Sequence, residues 1–176
     1  MTEINPQPNP QVGPLANLRT RGFDVLCTSH SQAILGNDFA DALRDIEEVL
    51  SGFTINIEEI VRGGGGEAPF TQRLRRALNL KNWTKREFKV RKFIDDVETQ
   101  ATSHEVDHVK AFERGTVALE IEWNNKDPFY DRDLDNFKRL HADGGISVGV
   151  IITRGMSLQN SIPDFLRRFA SEKNVA

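Results

Sequence analysis

Seven residues in strict alternation, Val117-Ala-Leu-Glu-Ile-Glu-Trp123, constrain this chain more than any other feature. Extended backbone turns successive side chains to opposite faces, so Val117, Leu119, Ile121 and Trp123 share one face of a strand. Glu120 and Glu122 share the other. The apolar face commits the strand to a core, and the opposite face then carries two carboxylates side by side. Like charges that close repel each other, so something positive has to stand near them.

The flanking segments supply a scaffold. Residues 146–155, ISVGVIITRG, form a near-continuous apolar run that predicts a strand buried on both faces. Between the two strands, DRDLDNFKRLH spaces Leu134, Phe137 and Leu140 along one helical face. SIPDFLRRFASEK closes as a helix, with Pro163 near its start and Ile162, Phe165, Leu166 and Phe169 facing inward. Upstream, EFKVRKFI and SHEVDHVK read as strands. PFTQRLRRAL reads as a helix with Pro69 in its first turn and Phe70, Leu74 and Leu78 four apart. Asn37 is positioned to cap a helix over DFADALRDIEEVL that carries Phe39, Leu43, Ile46 and Leu50 and ends before Gly52. Residues 54–61 point to no single element. The predicted fold class is α/β (α+β), a central mixed β-sheet flanked by helices.

Size and composition narrow the function. The 176 residues suffice for one domain, placed over 21–176 behind a flexible N-terminal arm, residues 1–20, that holds four prolines. No apolar run reaches the roughly 20 residues of a membrane-spanning helix. The start lacks the basic-then-apolar pattern of a secretory leader, which makes the cytoplasm the expected compartment. Cys27 is the single cysteine and has no disulfide partner. The RGGGGEAP segment lacks the GxxxxGK[ST] pattern of a phosphate-cradling loop. A net charge of −3 argues against a uniformly basic nucleic-acid module, but the charge is unevenly spread. From Asp38 to Glu59 seven acids face one base. From Arg73 to Lys92 nine bases (among them Arg73, Arg76 and Lys89) face Glu87 alone. That block is either a solvated face or a surface that steers a polyanion. Trp83 lies within it, in the core or ready to stack on a ligand.

Two chemistries compete for the same residues. His104-Glu-Val-Asp-His108 matches HExxH, in which two histidines one helical turn apart hold zinc and the glutamate acts as base. That reading requires a helix and a third ligand such as Glu120, Glu122 or His141, and the β-branched surroundings speak against it. Alternatively, AFERG turns SHEVDHVK back onto the alternating strand and sets Asp107 beside Glu120 across an antiparallel ladder. Three converging acids suit a hard divalent cation, Mg²⁺ above all. Beside a basic surface, such an ion suits phosphodiester hydrolysis. The same glutamates could also simply line the solvent side of a half-exposed strand.

The order Asp107, then Glu120-x-Glu122 at a strand end, resembles the PD-(D/E)xK nuclease core. Most of that superfamily has lysine where Glu122 stands. The second glutamate resembles the branch of type II restriction endonucleases of the BamHI and BglII kind. The similarity covers roughly residues 37–169 and is strongest over 104–154, where the strand, a polar turn, the helix and the buried strand follow in the family's order. The resemblance implies a restriction-endonuclease-like core and a Mg²⁺-dependent enzyme, with Mn²⁺ as a substitute ion, that cuts double-stranded DNA at a specific site. It implies Asp107 and Glu120 as metal ligands and Glu122 as the group that positions or deprotonates the attacking water. Lys126 and Arg132, with Arg73, Arg76 and Lys89, would contact DNA. A fourth acid found in some relatives has no counterpart here; Gln72 is the nearest position. Residues 133–141 would contribute to a homodimer interface. Relatives extend past their final helix, so the resemblance implies a compact member or one lacking part of its recognition surface. A catalytically silent DNA-binding relative would keep the basic segment without needing the three acids.

Overall fold

The computed structural model describes residues 13–61, 67–123 and 127–173, and for residues 127–130 the backbone alone. The chain divides into two compact units, Met1–Gly52 and Phe53–Ala176.

The first unit is helical: α1 (Ala16–Thr20), α2 (Ser31–Asn37) and α3 (Ala40–Ser51). In α3, Leu43, Ile46 and Leu50 recur at helical spacing and are buried, as is Phe39 just before it. Asn37 does not cap this helix. It is the last residue of α2, and Phe39 stands at the α3 cap position with no side-chain hydrogen bond. Residues 16–20, assigned to the arm from sequence, form α1. Leu15 and Leu18 are buried, three residues apart, and give α1 an apolar side to pack. Residues 1–12 lie outside the described part.

The second unit carries the sheet. After α4 (Ile57–Val61) and α5 (Pro69–Leu80) come β1 (Thr84–Ile94), β2 (Val97–Phe112), β3 (Gly115–Glu122), α6 (Asp127–Ala142), β4 (Val148–Thr153) and α7 (Met156–Glu172). The strands lie in the order β1-β2-β3-β4. The first three run antiparallel, and β2 turns into β3 through Glu113-Arg114 as the AFERG segment predicts. β4 is parallel to β3, and α6 makes the crossover that a parallel pair requires. The sheet is therefore mixed, with helices flanking it, as expected.

Both faces of β3 are covered. On one, Ala118 packs with Phe88, Val106 and Val109 beneath Phe137 and Leu140 of α6. On the other, Val117 and Leu119 are fully buried, and the Trp123 ring meets Phe70 of α5 at 4.3 Å. Trp83 is itself fully buried against Phe112, so it serves the core rather than a ligand. Only Val148 of β4 is fully buried, and the strand stands at the sheet's edge among the described residues. The expectation of burial on both faces is not met: Gly149 and Thr153 are exposed, and Val150, Ile151 and Ile152 are half-buried. Helix α7 likewise turns Phe165 and Leu166 partly to solvent instead of inward.

Gly149 sets how closely α6 approaches. A Cβ at this position would lie 2.5 Å from the Phe137 ring. The absent side chain lets that ring seat on β4, and with it the helix that reaches over Glu120 and Glu122. Gly149→Val should lower unfolding free energy by about 1–3 kcal/mol through overpacking, read from the urea midpoint.

Candidate active site

The site is assembled where β2, β3 and α6 meet, and a β-bulge shapes it. The β1–β2 register passes from Thr84↔Val109 to Arg86↔Val106, so three steps on β2 oppose two on β1. The extra residue falls at Asp107-His108, where a bulge re-aims side chains. His108 and Val109 are consecutively buried while Asp107 stays exposed. Asp107 lies one step beyond the His108↔Leu119 pair, opposite Glu120. Its main-chain N–H donates to Glu120 Oε1 at 3.1 Å. The predicted juxtaposition of Asp107 and Glu120 is thus present, joined through backbone rather than carboxylate to carboxylate.

A fourth acid joins them. Asp133 of α6 is only 4 % exposed. Its Oδ1 accepts hydrogen bonds from Nε and a terminal nitrogen of Arg132, both at 3.0 Å. Its Oδ2 is buried and receives no donor. The Glu122 carboxyl lies within hydrogen-bonding reach of Asp133, but it is another acceptor unless protonated. Two facing acceptors need a proton or a cation to satisfy them.

Electrostatics follow this crowding. Burial, opposed by the Asp107 N–H and reinforced by the charges of Asp107, Asp133 and Glu122, pushes the Glu120 carboxyl up to about 8. Burial first, then the hydrogen bond and charge of Asp133, push Glu122 up to about 7. Two fixed cations border the group. Arg132 holds Asp133, and its guanidinium is stabilised in the charged form mainly by that bond. Lys85 of β1 reaches Glu105 Oε1 at 2.6 Å and Asp107 Oδ1 at 3.5 Å. Of the two, Arg132 bears on the paired glutamates directly, its charge opposing the rise at Glu122.

The other expected residues fall elsewhere. Arg73 is bound by Glu59 through both carboxylate oxygens and donates to the Thr54 carbonyl at 2.8 Å. Arg76 donates to Gln72 at 3.2 Å, and Gln72 itself donates to the Glu67 carbonyl. Lys89 pairs with Glu87. Much of the basic segment is therefore neutralised within the chain: Arg75 pairs with Glu67, Arg91 with Glu98 and Lys92 with Asp143. Lys126 lies outside the described residues. In the stretch 133–141, Phe137 and Leu140 belong to the core and Leu134 is exposed.

The zinc-protease reading is overturned by local structure. HEVDH lies on β2, not on a helix, and four strand residues span about 13 Å, too far for both histidines to hold one metal. His108 is buried, its ring pushed toward the neutral form by desolvation, with the Leu119 backbone nearby but no partner in hydrogen-bond geometry.

Among the described residues, no three His, Cys, Asp or Glu side chains stand together closely enough to enclose a metal ion. Mg²⁺ asks for less, since it keeps several waters and is commonly held by one or two carboxylates. Buried carboxyls with raised pKa values and the donorless Oδ2 of Asp133 are a donor set that suits such an ion.

Sequence reasoning passed over Asp133 and Lys85. Asp133 had a signal: it falls four residues before Phe137, on the apolar stripe of its helix, where an unpaired charge is out of place. Lys85 had none, because its partners are 20 and 22 residues away across a bulged ladder.

Without divalent cations, the raised Glu120 pKa has a defined consequence. Stability from a carboxyl raised from 4.5 to about 8 is fully present below pH 4.5 and is lost as pH rises toward 8. Urea unfolding in EDTA should show wild type weakening over that window. Glu120→Gln should flatten much of the loss, by a few kcal/mol at about 1.4 kcal/mol per pH unit.

A family model described as restriction endonuclease BglII/BglIII matches residues 23–173. No curated protein and no solved structure matches the chain.

Proposed function

Because the chain belongs to the BglII/BglIII restriction endonuclease family, we propose that it is a Mg²⁺-dependent type II enzyme of a restriction-modification system, hydrolysing double-stranded DNA at a specific site. The observation that carries this reading is the meeting of Asp107, Glu120, Glu122 and Asp133 where β2, β3 and α6 come together. Two of the four, Glu120 and Asp133, are buried, and buried carboxyls among other acids destabilise a fold unless a cation offsets their charge.

Asp107 and Glu120 would hold the ion. Bound there, Mg²⁺ (or Mn²⁺ in its place) supplies polarisation of the phosphate and a more acidic water. Glu122, held near neutral pKa by burial and Asp133, is suited to take the water's proton. The water oxygen bonds to phosphorus, the bond to the sugar oxygen breaks, and that oxygen takes a proton from solvent. Arg132 would exchange Asp133 for a DNA phosphate, and Lys126, which lies outside the described residues, would be a further phosphate contact. The Asp…Glu-x-Glu pattern is the PD-(D/E)xK variant with glutamate at the usual lysine position. A homodimer using the exposed Leu134 side of α6 would place one such site on each DNA strand. No described helix is long and apolar enough to cross a membrane, and a DNA-cutting enzyme acts where the genome is, in the cytoplasm.

The test is cleavage of a long duplex of known sequence. Mg²⁺ should yield discrete fragments and EDTA none. Glu120→Ala should cut at least about 10²–10³-fold more slowly while melting in EDTA no lower than wild type. Absence of cleavage by wild type in both Mg²⁺ and Mn²⁺, with DNA still bound, would identify a catalytically silent DNA-binding relative instead.

A further inference from the structure

We propose that Lys85 is a further residue of the active site: a cation of the chain itself that takes the place of a second divalent ion and that binds the phosphate being cleaved. The inference rests on the nuclease reading above and adds a group that neither the sequence pattern nor the family match assigns.

Three observations carry it. The bulge in β2 lies directly opposite Lys85, between its neighbours' partners Val109 and Val106, and turns Asp107 outward while His108 is buried. Lys85 then meets Asp107 on the side away from Glu120, whose carboxylate is engaged by the Asp107 N–H. Finally, Glu105, the acid that could help Asp107 hold a second ion, is itself held by Lys85 at 2.6 Å. Two-ion hydrolytic sites need free carboxylates flanking both ions. Here one flank is filled by an ammonium group of the chain itself.

The ion pairs are a resting position. Lys85, Glu105 and Asp107 side chains are each more than half exposed, and exposed pairs hold together weakly. A phosphate brought to Asp107 would compete for an ammonium on a four-carbon stem. Lys85 would then release Asp107 and take a non-bridging oxygen. Arg132 of α6 stands on Asp133 across the site, so the chain offers one cation from β1 and one from α6.

Mn²⁺ titration of the full chain, followed by electron paramagnetic resonance and calorimetry, tests the substitution directly. Wild type should bind one Mn²⁺ per chain, and Lys85→Glu should bind two. Duplex binding in Ca²⁺ tests the phosphate contact. Lys85→Met should reduce the slope of log affinity against log salt by about 1 and slow single-turnover cleavage at least tenfold, with Lys85→Arg restoring most of both. Lys92→Met, a matched lysine of β1 paired with Asp143, serves as the control. Zero or two Mn²⁺ per wild-type chain, or an unchanged salt slope and cleavage rate in Lys85→Met, would overturn the proposal. Failure of the wild type to bind or cut DNA would instead remove the nuclease reading, while the Mn²⁺ count would still decide whether Lys85 occupies a cation's place.

Discussion

The burial of Glu120 between the Asp107 backbone and helix α6 is the constraint on which the site depends. A carboxylate taken from water loses solvation that a single N–H at 3.1 Å does not return. The chain accepts this cost at one end of an otherwise well-packed strand, where Val117, Ala118 and Leu119 are fully buried. The packing that covers Glu120 is local and traceable. Gly149 lets Phe137 sit close on β4, Phe137 draws α6 down, and the first turns of α6 bring Asp133 to Glu122. A buried acid cluster is thus a product of the same contacts that hold the core.

Charge is distributed unevenly across this cluster. Two acids have cations of their own, Lys85 on Asp107 and Arg132 on Asp133. Glu120 and Glu122 carry the raised pKa values and meet chiefly other acids. In the proposed enzyme a divalent ion would relieve the two glutamates, and a DNA phosphate would draw off the two cations. Binding of metal and binding of substrate would then be electrostatically linked, each removing a competitor for the groups that the other needs.

Much of this was legible in the sequence because it is written locally. The period of two in residues 117–123 identified β3 and put its glutamates on one face, and AFERG placed Asp107 opposite Glu120. Helices α3, α5 and α6 followed from apolar spacing. What escaped is non-local. The bulge at Asp107-His108 depends on the pairing of two strands, and it alone makes Lys85 a neighbour of the site. The basic run 73–92 looked like a field-generating surface because sequence lists its charges without their partners. Folding brings Glu59, Glu67, Glu98, Glu105 and Asp143 to it. The apolar run 146–155 reads the same whether β4 is central or at an edge, since strand order is set by the whole sheet.

Glu120 and Glu122 should keep protons until a divalent ion displaces them. Calorimetric titration of Ca²⁺ into the protein at pH 7, repeated in buffers of different ionisation enthalpy, counts the protons released on binding. Binding should be accompanied by release of about one proton per ion, since the Glu120 and Glu122 carboxyls are pushed up to about 8 and about 7. Ca²⁺ binding with no proton release, or no binding at all, would contradict it.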